Sequence, residues 1–169
     1  MRAARGWTLV EMIVVVAVLG TLAAFVAPVL VQALGAYEAT DASVATYAKM
    51  RYAMERMARE IREVRRAPAD TANFDISAMS ATSLSFVKDD ATEVTLGSSG
   101  STLTLGYTGT ASGTLTDQVG AFALAYLQQD GTTAAAGAAD VAFVQVSMTL
   151  VEGANNYASR LRVDLRNPQ

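Results

Sequence analysis

Cysteine and histidine are both missing from this chain of 169 residues. Their absence excludes disulfide bonds, cysteine or histidine nucleophile pairs, and the zinc sites that these residues usually build. Charge is also modest, with 13 basic and 16 acidic side chains and a net charge of −3. A mildly acidic chain is poorly suited to binding nucleic-acid phosphates. We therefore expect no enzyme activity, no metal, no cofactor and no nucleic-acid partner.

Apolar residues are plentiful, at 51% of the chain, and they are concentrated near the N-terminus. Residues 12–31 carry no charged side chain. As a helix, such a segment rises about 30 Å, which is the hydrocarbon thickness of a bilayer. Arg2 and Arg5 precede it, and the positive-inside tendency then places the N-terminus in the cytoplasm. The pattern predicts a single membrane span.

The residues just before this span read Arg5-Gly6-Trp7-Thr8-Leu9-Val10-Glu11. This run resembles the prepilin peptidase motif of type IV pilins and type II secretion pseudopilins. In that family a short basic leader ends in glycine, the peptidase cuts after it, and the new N-terminus is methylated. A glutamate is the fifth residue of the mature chain. The resemblance implies cleavage between Gly6 and Trp7 and an assembly role for Glu11.

Two further positions and one departure belong to this comparison. Gly20 and Pro28 stand where the family tends to place glycine and proline, which implies a part in assembly. Proline removes a backbone donor and clashes with the carbonyl four residues earlier, so a kink or local unwinding is expected near residues 24–28. Trp7 replaces the usual phenylalanine. As another bulky aromatic it is compatible with cleavage, and its effect on efficiency stays open.

Glu11 has a physical interpretation apart from the family. An unpaired carboxylate is costly inside a bilayer, so the simplest role is a border residue that faces the lipid headgroups. In a helical filament the carboxylate can instead pair with the N-terminal amine of a neighbouring subunit and set the axial register. A removable secretion signal peptide and a plain membrane anchor are alternatives for the whole segment. The former fits poorly, because the apolar run is long and begins with an acid.

A second helical pattern follows. Its apolar seam recurs every three or four residues, at Val44, Tyr47, Met50, Met54, Met57, Ile61 and Val64. The opposite side carries Glu55, Arg56, Arg59, Glu60, Arg62 and Glu63, with Glu55–Arg59 and Arg56–Glu60 as expected ion pairs. Pro68 ends the pattern, so one helix is predicted from about Thr8 to Arg66. The arginines between 51 and 66 fit a solvated face, with DNA binding as the rival interpretation.

Beyond Pro68 the apolar period changes from about 3.6 to 2. Strands are predicted at 83–87, 93–96, 102–107, 122–126, 144–150 and 157–165, with turns at 97–101, 128–131 and 153–156. Residues 109–117 and 132–139 are expected to form loops. An antiparallel sheet with one apolar face would pack against the helix seam, so the fold class is α+β, a long N-terminal helix with a β-rich headpiece.

Parts of this second half are similar to the J-type minor pseudopilin and related minor pilins. The similar segments are residues 57–62, 122–131 and 163–167. The resemblance implies a structural minor subunit that initiates or caps a type IV pilus or a type II secretion pseudopilus. Its partners would be other pilin or pseudopilin subunits, prepilin peptidase, the inner-membrane assembly platform and, before assembly, membrane lipid. The absence of cysteine favours this over an adhesive major pilin.

The expected organisation is a leader at 1–6, a membrane and filament-core helix at 7–34, an amphipathic helix at 35–67 and a periplasmic headpiece at 68–169. The chain would reside in a bacterial inner membrane before it enters a filament. A membrane-tethered DNA-binding or adhesive protein is the alternative. Asp89, Asp90 and Glu93 cluster at a predicted turn, where a solvated turn is favoured over a calcium site.

Overall fold

The computed structural model describes residues 7–165 of the chain. One long helix, α1 (Leu9–Arg62), comes first, and antiparallel strands follow it. The predicted α+β class is therefore confirmed. The predicted leader at residues 1–6 and the last two residues of the 163–167 segment, Arg166 and Asn167, lie outside the described residues. By its internal packing the chain divides into two units, one ending at Ser43 and the other beginning at Val44.

The helix ends at Arg62, four residues before the predicted end. The next residues pair with strands instead. The Arg65 N–H donates to the Val87 carbonyl at 3.0 Å, and the Asp75 N–H donates to the Arg65 carbonyl at 2.9 Å. Sheet pairing thus takes over the backbone groups that a longer helix would have used.

Ten strands follow α1. They are β1 (Arg66–Ala67), β2 (Asp70–Phe74), β3 (Ile76–Met79), β4 (Ser83–Val87), β5 (Glu93–Ser99), β6 (Thr102–Tyr107), β7 (Thr110–Thr116), β8 (Val119–Leu127), β9 (Phe143–Glu152) and β10 (Asn155–Asp164). A short 3-10 helix, Ala138–Asp140, lies between β8 and β9. All six predicted strands are present. The prediction of a loop at residues 109–117 is wrong, because these residues contain β7. Strands β1 to β3 were not predicted.

The strands form three antiparallel sheets. The orders are β1-β2, then β3-β4-β5-β6-β7, and finally β10-β9-β8. The predicted turns at 97–101 and 153–156 are shorter than expected, because β5 continues to Ser99 and β10 begins at Asn155. Gly100 and Gly153 sit in these hairpin turns with φ of +58° and +57°, a conformation that only glycine adopts at little cost.

The core lies between the second half of α1 and the inner faces of the sheets. Seam residues Met50, Met54, Met57, Ile61 and Val64 are buried there with alternate residues of β4, β5, β6, β8, β9 and β10. Val44 and Tyr47 are exposed, so the buried part of the seam is shorter than predicted. Tyr47 nevertheless makes an edge-to-face contact with Tyr157, with ring centroids 4.9 Å apart.

Candidate functional site

The N-terminal part of α1 is an exposed apolar surface. Every residue from 7 to 41 is exposed, and Phe25 and Leu9 keep 78% and 77% of their accessible surface. Within the described residues, α1 is the one helix long and apolar enough to cross a membrane. Because apolar surface in water is unfavourable by about 25 cal/mol per Å², this segment requires lipid or other apolar helices around it. It is a candidate single membrane span.

A reciprocal capping arrangement begins α1. Thr8 is the N-cap residue, and its N–H and Oγ1 both donate to Glu11 Oε2, at 2.9 and 3.1 Å. The Glu11 N–H donates back to Thr8 Oγ1 at 3.3 Å. This is the capping box expected when threonine is followed three residues later by glutamate, although the sequence reasoning did not identify it. The bonds hold the Glu11 carboxylate at the very start of the helix.

The other predicted assembly positions lie along the same helix and do not converge into one site. Trp7 precedes the capping box and is 73% exposed, whereas Gly6 lies outside the described residues. Gly20 has open space around it, with no atom within 4 Å of where a Cβ would be. The helix continues without interruption through Pro28. The local unwinding suggested for residues 24–28 is therefore not observed there.

The second unit contains a buried ionic cluster that the sequence analysis missed. Glu60 was predicted on the solvated face, but it is only 3% exposed. Its Oε1 accepts bonds from Arg56 Nη2 at 2.7 Å and from the Tyr107 hydroxyl at 2.8 Å. Its Oε2 pairs with Lys88 Nζ at 3.2 Å. The sequence does indicate this burial, because Glu60 lies three residues after Met57 and therefore on the buried side of the helix.

This cluster joins α1 to the ends of β4 and β6. Hydrogen bonds to Glu63 and Glu60 raise the pKa of Lys88, and burial raises the pKa of Tyr107. Arg56 also donates to the Tyr107 hydroxyl at 2.6 Å. Each buried polar group here has a partner, so the cluster fixes the part of α1 after Val44 on the five-stranded sheet. The predicted Arg56–Glu60 pair is confirmed, whereas Glu55 pairs with Arg51 instead of Arg59.

The acidic turn before β5 is held by local hydrogen bonds. Asp90 accepts the Thr92 N–H at 2.9 Å, which lowers the pKa of the Asp90 carboxyl. Glu93 Oε1 accepts a bond from the Ser77 hydroxyl at 3.0 Å. Across residues 7–165 no three acidic side chains are grouped closely enough to hold a metal ion. Asp89, Asp90 and Glu93 are all exposed.

The N-terminal helix is therefore the candidate site, an apolar surface that ends in one fixed carboxylate. Comparison with known proteins adds nothing to this geometry, since no protein-family model and no curated protein sequence matches the chain.

Proposed function

We propose that this chain is a structural minor pilin or pseudopilin. It is made as a precursor, cut between Gly6 and Trp7, and packed by residues 7–34 into a type IV pilus or a type II secretion pseudopilus. The observation that carries the proposal is the exposed apolar helix with Glu11 as its single charge. No other charged residue occurs from Trp7 to Tyr37.

The exposed helix requires an apolar environment both before and after assembly. In the inner membrane, lipid covers residues 12–31, and in a filament the corresponding helices of neighbouring subunits cover the same surface. Transfer between these two environments exposes little apolar surface to water, so extraction from the membrane carries no large hydrophobic penalty. The surrounding helices also exclude water from any charge among them.

Because water is excluded, one charge on each subunit suffices to set the axial register between neighbouring subunits. After cleavage, Trp7 carries a free amine, and Glu11 lies four residues away at the start of the helix. A neighbouring subunit's amine is the natural partner for this carboxylate. Leaving one member of a desolvated ion pair without its partner costs about 3–5 kcal/mol, so subunits that dock out of register are disfavoured. The capping bonds from Thr8 keep the carboxylate in place for this pairing.

Co-expression with a prepilin peptidase tests the processing step. Intact mass should show loss of residues 1–6 from the wild-type chain and no loss from Gly6→Leu, because a bulky residue does not fit where glycine is cut. Ala4→Leu is the matched control, a similar change two residues away, and should be processed normally. Equal retention of the leader in all three proteins would contradict the proposal and favour a plain membrane-tethered DNA-binding or adhesive protein.

A further inference from the structure

A groove of about 540 Å³ runs between α1 and β10, wholly within the unit that begins at Val44. One wall is a stripe of α1 between residues 47 and 62, and the other is the five consecutive residues 157–161 of β10. Consecutive strand residues point to opposite faces of a sheet. Residues from both faces of β10 therefore line the groove, which runs beside β10, the outer strand at the edge of its sheet.

That edge offers backbone groups for pairing. β10 is the outer strand of its sheet, and β9 is its only ladder partner within residues 7–165. The Leu165 N–H donates to the Ala142 carbonyl at 2.9 Å, which continues the β9–β10 register. Antiparallel strands alternate between residues that bond to the partner and residues that face away. The even-numbered residues Ala158, Arg160 and Arg162 therefore direct their backbone groups to the open edge.

The walls of this groove are cationic. Its lining includes Arg51, Arg59, Arg62 and Arg160 against one acid, Glu55. Glu55 is already paired with Arg51, at 2.7 Å. The other three arginines are exposed and form no ion pair within the part of the chain that the structure describes. The groove is thus locally cationic in a chain whose net charge is −3.

We propose that this groove, here called the β10 groove, binds an extended acidic segment of another polypeptide, which adds to β10 as a further strand. Strand addition satisfies the open backbone groups of β10, and carboxylates at alternate positions of the segment meet the arginines. Met50, Met54 and Leu161 supply apolar contact between them. The proposal does not depend on the processing or filament assembly described above.

The edge chemistry favours a polypeptide over a nucleic acid. The open edge of a strand presents N–H donors and C=O acceptors in alternation. A phosphate backbone accepts hydrogen bonds but donates none, so it would leave the carbonyls of Ala158 and Arg160 without partners. A peptide strand matches both kinds of group. Single-stranded DNA and a second copy of this chain are accordingly the competing occupants that an experiment must separate.

The probe is a fluorescent, end-capped peptide of alternating glutamate and valine, measured by anisotropy against the full chain in lipid nanodiscs. Two control peptides isolate the two parts of the proposal. One carries lysine in place of glutamate, and the other keeps glutamate but has N-methylated backbone amides on the pairing edge. We expect binding of the acidic peptide and binding at least about tenfold weaker for both controls.

Two variants locate the binding. Ala158→Pro removes a backbone donor from the open edge without touching the bonds to β9, and should weaken binding of the acidic peptide about tenfold. The double variant Arg59→Gln with Arg62→Gln should weaken it by a similar factor. Lys49→Gln is the matched control, since it removes a positive charge from the same helix outside the groove, and it should bind like wild type. Circular dichroism establishes that each variant is folded.

Three results would overturn the proposal. The first is equal binding of the acidic and N-methylated peptides, which would reduce the interaction to charge alone. The second is binding of oligothymidine that is tighter than that of the peptide and unaffected by Ala158→Pro, which would assign the arginines to nucleic acid. The third is absence of peptide binding with a concentration-dependent dimer that Ala158→Pro abolishes, which would assign the edge to a second copy.

Discussion

Thr8 and Glu11 bind each other across the first turn of α1, through a 2.9 Å bond from the Thr8 N–H and a 3.3 Å bond from the Glu11 N–H. Glutamine can occupy the same capping position as glutamate. The observed cap and the proposed charge pair of Glu11 are thus separable, because Glu11→Gln removes the charge and keeps the cap, whereas Glu11→Ala removes both.

We expect Glu11→Gln to insert into the membrane normally and to be recruited poorly into filaments. The neutral amide cannot neutralise a neighbour's buried amine, so that amine loses the ionic partner that would set the axial register. Glu11→Ala should show the same assembly defect. The measurement is the ratio of subunit in sheared filaments to subunit in the membrane fraction, by immunoblot of the expressing cells.

Glu38→Gln is the control for this pair of variants. Glu38 is also an exposed glutamate of α1, but it lies beyond the apolar segment. Its filament-to-membrane ratio should equal that of wild type. Normal assembly of Glu11→Gln would show that the charge pair does not set the register.

At the proposed cleavage site, Trp7 departs from the pattern of the pilin family that the N-terminal motif resembles. We expect Trp7→Phe to be processed at least as fast as wild type, since it restores the residue usual in the family. Trp7→Ala removes the aromatic ring and should be processed more slowly. Pulse-chase labelling with a co-expressed prepilin peptidase measures these rates, and Trp7→Phe slower than wild type would contradict the interpretation of Trp7 as a substitute for phenylalanine.

The buried Glu60 cluster should contribute strongly to the stability of the second unit. Glu60→Ala leaves Arg56 and Lys88 without their buried partner and should lower the free energy of unfolding by about 3–5 kcal/mol. Tyr107→Phe removes only one hydroxyl and should cost about 0.5–1.5 kcal/mol. Urea unfolding of the full chain in detergent, followed by the β signal in circular dichroism, measures both.

Glu63→Ala is the matched control for Glu60→Ala. Glu63 also contacts Lys88, but its side chain is 46% exposed, and water replaces the lost interaction. Its effect should stay within about 1 kcal/mol. Equal losses for the two variants would mean that burial of Glu60 does not govern the energetics of the cluster.

We predict that the fold loses stability at high pH, where the Tyr126 hydroxyl ionises. This hydroxyl donates to the Ser80 and Ser83 carbonyls at 2.8 and 3.0 Å, and burial raises its pKa from 10.0 to about 12. Because the pKa of Tyr126 is higher in the folded state than in the unfolded state, this residue contributes its full stabilisation below pH 10. The contribution is lost as pH rises from 10 to about 12. Unfolding measured across this range should show the loss in wild type and a smaller one in Tyr126→Phe. Identical pH profiles would contradict the assignment.

The sequence predicted those elements whose apolar period is set by burial on one face. Residues 144–150 alternate because every second side chain of β9 enters the core, and the helix seam from Met50 repeats for the same reason. β7 was missed because five of its seven residues are exposed, so alternation is absent. It forms because β6 offers backbone partners, which is a property of the sheet and not of residues 110–116.

The same limit applies to the sites. The capping box is readable locally from Thr8 and Glu11, since both partners lie within one turn. The burial of Glu60 is indicated by its spacing from Met57, but its partners Lys88 and Tyr107 are 28 and 47 residues away. Likewise, the β10 groove exists only because α1 and β10 meet. Charges read along one helix could not reveal partners that come from the sheet.

The state of the N-terminus tests the central claim most directly. Protein isolated from its native membrane should be analysed by intact mass and N-terminal sequencing. The account predicts a chain that begins at Trp7 and carries one methyl group on its amine. A chain that retains Met1, or one that begins near Pro28 after cleavage by a signal peptidase, would contradict it.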